Sequence, residues 1–155
     1  MGKTAFSGPV YGAKTLLWSH SQAVGGNSPV STAPVLLASM IVPSYQDYFI
    51  TEINAYRAST ASTAFKIELV DKSSRASAST RVVGDAAITS SLADSVGSTI
   101  VTADGGEYEG RRVAAGSTLY LRLNSSNSSA AALASSGFSA WVFGFTRYID
   151  STRAV

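Results

Sequence analysis

Short apolar bursts separated by turn-forming residues run along this chain, and within each burst the spacing is the two-residue alternation of an extended strand. The clearest case is Thr118 to Asn124, where Leu119, Leu121 and Leu123 share one side and Tyr120 and Arg122 the other, behind a Gly116-Ser117 lead-in. Ala64 to Asp71 repeats the pattern, with Phe65, Ile67 and Leu69 opposed to Lys66 and Glu68, as in a half-buried antiparallel strand. Asp47 to Tyr56 places Phe49, Thr51, Ile53 and Ala55 on one face and Tyr48, Ile50, Glu52 and Asn54 on the other. The small polar stretch Arg57 to Thr63 then predicts a long-looped hairpin between these two segments. In Gly137 to Ile149, Trp141, Phe143 and Phe145 alternate with Val142, Gly144 and Thr146. Both faces there are apolar, which predicts a central strand or one covered by a neighbouring chain.

Lys14 to Ser19 and Val35 to Val42 read as two further strands, in a region cut by Gly8-Pro9, Gly12, Gly25-Gly26-Asn27 and Pro34 that leaves no room for a long helix. Ser98 to Thr102, the turn Asp104-Gly105-Gly106 and Glu107 to Val113 predict a second hairpin. Lys72 to Ser98 carries the least pattern; Ala86 to Ala93 fits one helical turn, and Ala130 to Ala134 a short helix on propensity. Some seven or eight strands with turns between them predict an all-β, antiparallel sandwich of jelly-roll-like type. A chain of 155 residues suits one such domain, placed at residues 13–155, with residues 1–12 as an extended N-terminal arm.

Charge narrows the function classes. Twelve Lys and Arg against ten Asp and Glu leave a formal charge of +2, with no basic stripe to neutralise a run of phosphates, so nucleic acid is not the expected partner. No run reaches the ~18 apolar residues of a membrane span, and the N-terminus lacks a signal-peptide core, which reads as intracellular synthesis without a membrane partner. Without cysteine the chain has neither disulfides nor thiolate metal ligands.

The catalytic inventory is thin. His20 is the one histidine, too few for a zinc or cupin-type site, and it is expected to end a strand at the surface. No Gly-x-Ser-x-Gly elbow accompanies the many serines, and Gly25-Gly26-Asn27 lacks the Lys-Ser/Thr of a phosphate loop. Asp104, Glu107 and Glu109 flank a Gly-Gly turn and read as an exposed acidic hairpin tip, with a weak Ca²⁺ site as the alternative. No catalytic residue, metal ligand or cofactor is therefore expected, and the chain reads as a binding or assembly protein, not an enzyme.

Two groups of residues carry that expectation. Phe6, Val10 and Tyr11, set among Gly2, Gly8, Pro9 and Gly12, form a sticky segment that reads as an arm laid on another surface, the alternative being an N-terminal edge strand that closes its own sheet. Tyr48 and Trp141 are candidates for a subunit or ligand interface, because such side chains combine contact area with a polar tip. The segment Lys3-Thr4-Ala5-Phe6-Ser7-Gly8-Pro9-Val10-Tyr11-Gly12, the strand Asp47-Tyr48-Phe49-Ile50-Thr51-Glu52 and the segment Ala114-Ala115-Gly116-Ser117-Thr118-Leu119-Tyr120-Leu121 resemble small virion proteins of tailed bacteriophages, capsid decoration or cement proteins in particular. That resemblance implies a trimer on the outer capsid surface, bound to the major capsid protein and bridging neighbouring capsomers, made in the host cytoplasm. A carbohydrate- or receptor-binding module of a tail or fibre is the competing expectation.

Overall fold

The computed structural model describes residues 13–24, 34–60, 64–71, 82–101, 110–125 and 136–149. The strands are β1 (Thr15–Val24), β2 (Val35–Ile41), β3 (Gln46–Arg57), β4 (Phe65–Val70), β5 (Val82–Ile88), β6 (Ser95–Ile100), β7 (Arg111–Val113), β8 (Thr118–Ser125) and β9 (Ser136–Tyr148). They form two antiparallel sheets. The first runs β1-β9-β3-β6, with β7 also paired to β3, and the second runs β2-β8-β4-β5. The chain is thus an all-β sandwich, as its alternation predicts, and no described residue is helical.

The core lies between the sheets. Ile50, Ile53, Phe138, Ala140 and Val142 from the first meet Phe65, Ile67, Leu69, Leu119, Leu121 and Leu123 from the second, all nearly or fully buried. Phe65 meets Phe138 edge-on at 6.4 Å, an aromatic contact that ties the two layers together.

Three expectations are corrected. Residues 47–56 and 64–71 form no hairpin, because β3 and β4 belong to opposite sheets. Likewise β6 and β7 do not pair with each other; each takes a different half of the long strand β3. The stretch from Ala86 is extended in β5, not helical, because Ala86 and Ile88 pack into the core beside β4. The arm with Phe6, Val10 and Tyr11, the Asp104-Gly105-Gly106 turn with Glu107 and Glu109, and the helix expected at 130–134 lie outside the described residues.

The strict two-residue period also fails inside β3. Ile50 pairs with Gly144 and Glu52 with Phe143, so Thr51 is an extra residue, a β-bulge. The bulge exchanges faces: Tyr48 and Ile50 point inward before it, Ile53 and Ala55 after it. On the other flank of β9 the register of β1 slips at the same level, between Leu16 and Trp18. Phe143 lies between the two slips, and on its neighbour Gly144 a Cβ would lie 2.0 Å from the Phe49 carbonyl oxygen. Gly110 supports the same site, with a φ of +82° that favours glycine and a position against Ile50 that a side chain would fill.

Buried charge is compensated locally. Asp47, fully buried, accepts from Arg112 Nε (2.9 Å), Arg147 Nη2 (2.7 Å) and the Ala115 N–H (3.0 Å). Burial pushes its pKa up, but those donors outweigh it and hold the carboxyl below its ordinary value. Arg57, also buried, donates to the carbonyls of Ser59 (2.8 Å), Ser90 (2.6 Å) and Leu92 (3.1 Å), pinning the β5–β6 turn to the end of β3. Arg111 reaches from β7 to the Val82 carbonyl of β5 at 2.8 Å and clasps one sheet to the other.

Candidate docking surface

Residues paired across antiparallel strands share a sheet face, so the register lays out the two outer surfaces row by row. On the second sheet that surface is polar. Glu68 accepts from Arg122 Nε (2.6 Å), Lys66 Nζ lies 2.8 Å from its other oxygen, and Asn124 donates to that oxygen at 3.3 Å. Lys66 continues the network to Asp85 at 3.3 Å. Burial raises the Glu68 pKa, yet Lys66 and Arg122 overcome it and the net shift is downward. Those groups satisfy one another.

The outer surface of the first sheet is different. One row runs Leu16, Phe143, Glu52, Ile100; the next Ser19, Trp141, Asn54, Ser98; the third Ser21, Ser139, Tyr56, Val96. Beyond the bulges Phe145 continues the aromatic line beside Phe49, whose ring lies 5.4 Å beneath the Arg147 guanidinium. Charge enters through Glu52, which accepts from Lys14 Nζ at 2.7 Å and from Asn54 Nδ2 at 3.0 Å. Leu16, Val96 and Ile100 are 47%, 74% and 79% exposed, so the row ends are open while Trp141, Phe143 and Phe145 are half-buried between them. The inner face of this sheet is apolar and covered by its partner sheet, while the outer face mixes these aromatic and aliphatic side chains with Ser, Asn and Glu, and among the described residues no second layer lies on it. The same face carries ion pairs, Lys14 with Glu52 and, beside Phe49, Asp47 with Arg112 and Arg147.

The sequence candidates separate on this frame. Trp141 lies on the outer face. Tyr48 is 7% exposed, inside the core, where burial raises its pKa, so its ring is not offered to a partner. His20 sits within β1 opposite Ala140, not at a strand end, and its Nε2 is 3.3 Å from Gln22 Oε1. Val96 and Ile100 were missed by sequence reading. Their strand alternates, but Ser95-Val96-Gly97-Ser98-Thr99-Ile100 does not say which side meets water, and the inner positions are the small Ser95, Gly97 and Thr99. Among the described residues no three His, Asp or Glu converge on a metal-sized site.

No protein-family model matches the chain, and no curated protein is similar to it. Among solved structures, those of infectious bursal disease virus strains Gx and Gt overlap it at 12% and 13% identity, with TM-scores of 0.23 and 0.22. They cover 92% and 96% of this chain, which spans 42% of the length of each. An overlap of that degree bears on neither fold nor function.

Proposed function

We propose that this is a structural virion protein that binds the outer surface of a phage capsid and stabilises it by bridging neighbouring capsomers as a trimer. The observation that supports this reading most is the set of exposed aliphatic side chains on the outer face of the β1-β9-β3-β6 sheet, where Leu16 and Ile100 flank Phe143 and Glu52 in one row and Val96 lies two rows away beside Tyr56. Large exposed aliphatic side chains clustered on one sheet face are a surface that a partner's contact would cover. The phage and the trimer rest on the sequence resemblance. The arm with Phe6, Val10 and Tyr11 adds a second attachment, and several weak attachments on one oligomer sum through effective concentration.

Undecorated shells of the source phage, mixed with purified protein, test the reading. Wild-type protein is expected to co-sediment with shells, Ile100→Asp and a chain lacking residues 1–12 to stay in the supernatant, and both variants to keep the wild-type circular dichroism. Normal co-sedimentation of Ile100→Asp would remove the docking face from the proposal. A second reading, a carbohydrate-binding module of a tail or fibre, is favoured by one observation, the exposed stack of Tyr45 and Tyr148 at 6.0 Å. Glycan-array binding lost in Tyr148→Ala would select it.

A further inference from the structure

Among the described residues Arg57 is the largest side chain that is fully buried. It follows Ile53 and Ala55 on the inner face of β3 and pairs with Phe138 and Ser95, both buried, so it enters the layer between the sheets at one end of the core. Its Nε donates to the Ser59 carbonyl and its Nη2 to those of Ser90 and Leu92, but the buried Nη1 has no acceptor among the described residues. A guanidinium carries N–H donors on all three nitrogens, and those on Nη1 go unmet here. Carbonyls offer partial charge only. Burial pulls the Arg57 pKa down, as it does for a cation short of compensation.

The sequence brings no acid to this end of the sandwich. Strand β1 finishes at Val24 against the start of β9, β3 at Arg57 against the start of β6, β8 at Ser125 against the start of β4, and β5 at Ile88 beside Phe65. These strand ends are joined by residues 25–34, 58–64, 89–94 and 126–135. The four stretches are rich in Ser, Thr and Ala, contain no Lys or Arg, and hold a single acid, Asp94, which accepts from the Tyr56 hydroxyl. Asp47, at the other end of the same strand, is the opposite case: one buried carboxylate there meets both Arg112 and Arg147.

We propose that Arg57 Nη1 holds a small anion, chloride or one of its size, which completes the charge balance at this end of the core. The joining stretches have no carboxylate to offer beyond Asp94, which is engaged. An acidic side chain of a partner, or a phosphate carried on a larger molecule, would not reach a guanidinium that is fully buried. Water would satisfy the N–H groups and leave the charge uncompensated, which is costly inside a protein. A monatomic anion meets both needs and is small enough to be enclosed.

Bromide, a heavier stand-in for chloride, gives the direct test. Crystals of the full chain grown in bromide are expected to show an anomalous peak within hydrogen-bonding distance of Arg57 Nη1; water or a protein acceptor in that place would overturn the proposal. In solution, melting of the wild-type chain is followed while chloride replaces gluconate at constant ionic strength, so that screening does not change. An anion that binds only the folded chain should raise the folding constant about tenfold for each tenfold rise in its concentration above Kd. Arg57→Met is expected to lose this dependence, and the wild-type comparison stands by itself if that variant does not fold. No advantage of chloride over gluconate, or the same advantage in Arg57→Met, would refute the site.

Discussion

Two buried acids set the pH response of single residues. Both Asp47 and Glu68 have folded-state pKa values held below their ordinary 3.8 and 4.5, so between folded and ordinary values the unfolded chain binds more protons. Their contribution is complete above the ordinary values and lost as pH falls through the depressed ones. Urea unfolding is expected to give a stability that holds from neutral pH to about 5 and then declines. Glu68→Gln removes one of these acids and leaves Arg122, 5% exposed, without its carboxylate. It should cost about 3 kcal/mol at neutral pH and flatten the acid limb. Among the described residues Arg57 is held by carbonyls alone. Arg57→Met should cost about 3 kcal/mol, because the Ser59 and Ser90 carbonyls lose the guanidinium donor while Leu92 retains only the Ser95 hydroxyl, and should speed amide exchange in residues 90–94.

Paired irregularities govern the first sheet at the scale of its elements. The slips in β1 and β3 meet β9 at the same level, and Gly144 is what allows the Phe49 carbonyl to come close. Gly144→Ala is expected to destabilise by about 2 to 3 kcal/mol in urea, since backbone must move. Gly137→Ala, in the same strand, should be within about 0.5 kcal/mol of wild type, because its new methyl would meet only the Ala58 Cβ at 3.6 Å. Equal losses at the two sites would show that the bulge level is not special. The strand of β3 was legible from its residues, but its bulge was not: Asp47 to Tyr56 alternates without a break, and the extra residue appears only against Gly144 and Phe143.

For the whole molecule, both outer faces carry paired charges, and the first sheet's outer face adds the exposed aliphatic side chains Leu16, Val96 and Ile100. Val96→Asp changes a residue that is 74% exposed, so its melting temperature should stay near wild type while shell binding falls at least about tenfold. A fall in both together would mean that Val96 supports the sandwich itself.

Sequence by itself determined the all-β class, strands β3, β4, β8 and β9 and the inward sides of β4 and β8, because the alternation of Phe65, Ile67, Leu69 and of Leu119, Leu121, Leu123 is local and survives in any pairing, whereas β5 carried too little pattern to be read. Trp141 on a two-faced strand was legible for the same reason. Which strands share a sheet, that Tyr48 points inward and that Val96 and Ile100 face out were decided by the tertiary structure. The physical reason is that closing a loop costs little more when the loop is longer, so residues near in sequence hold no strong claim on one another. Partners are chosen by how well two sheets fill the space between them.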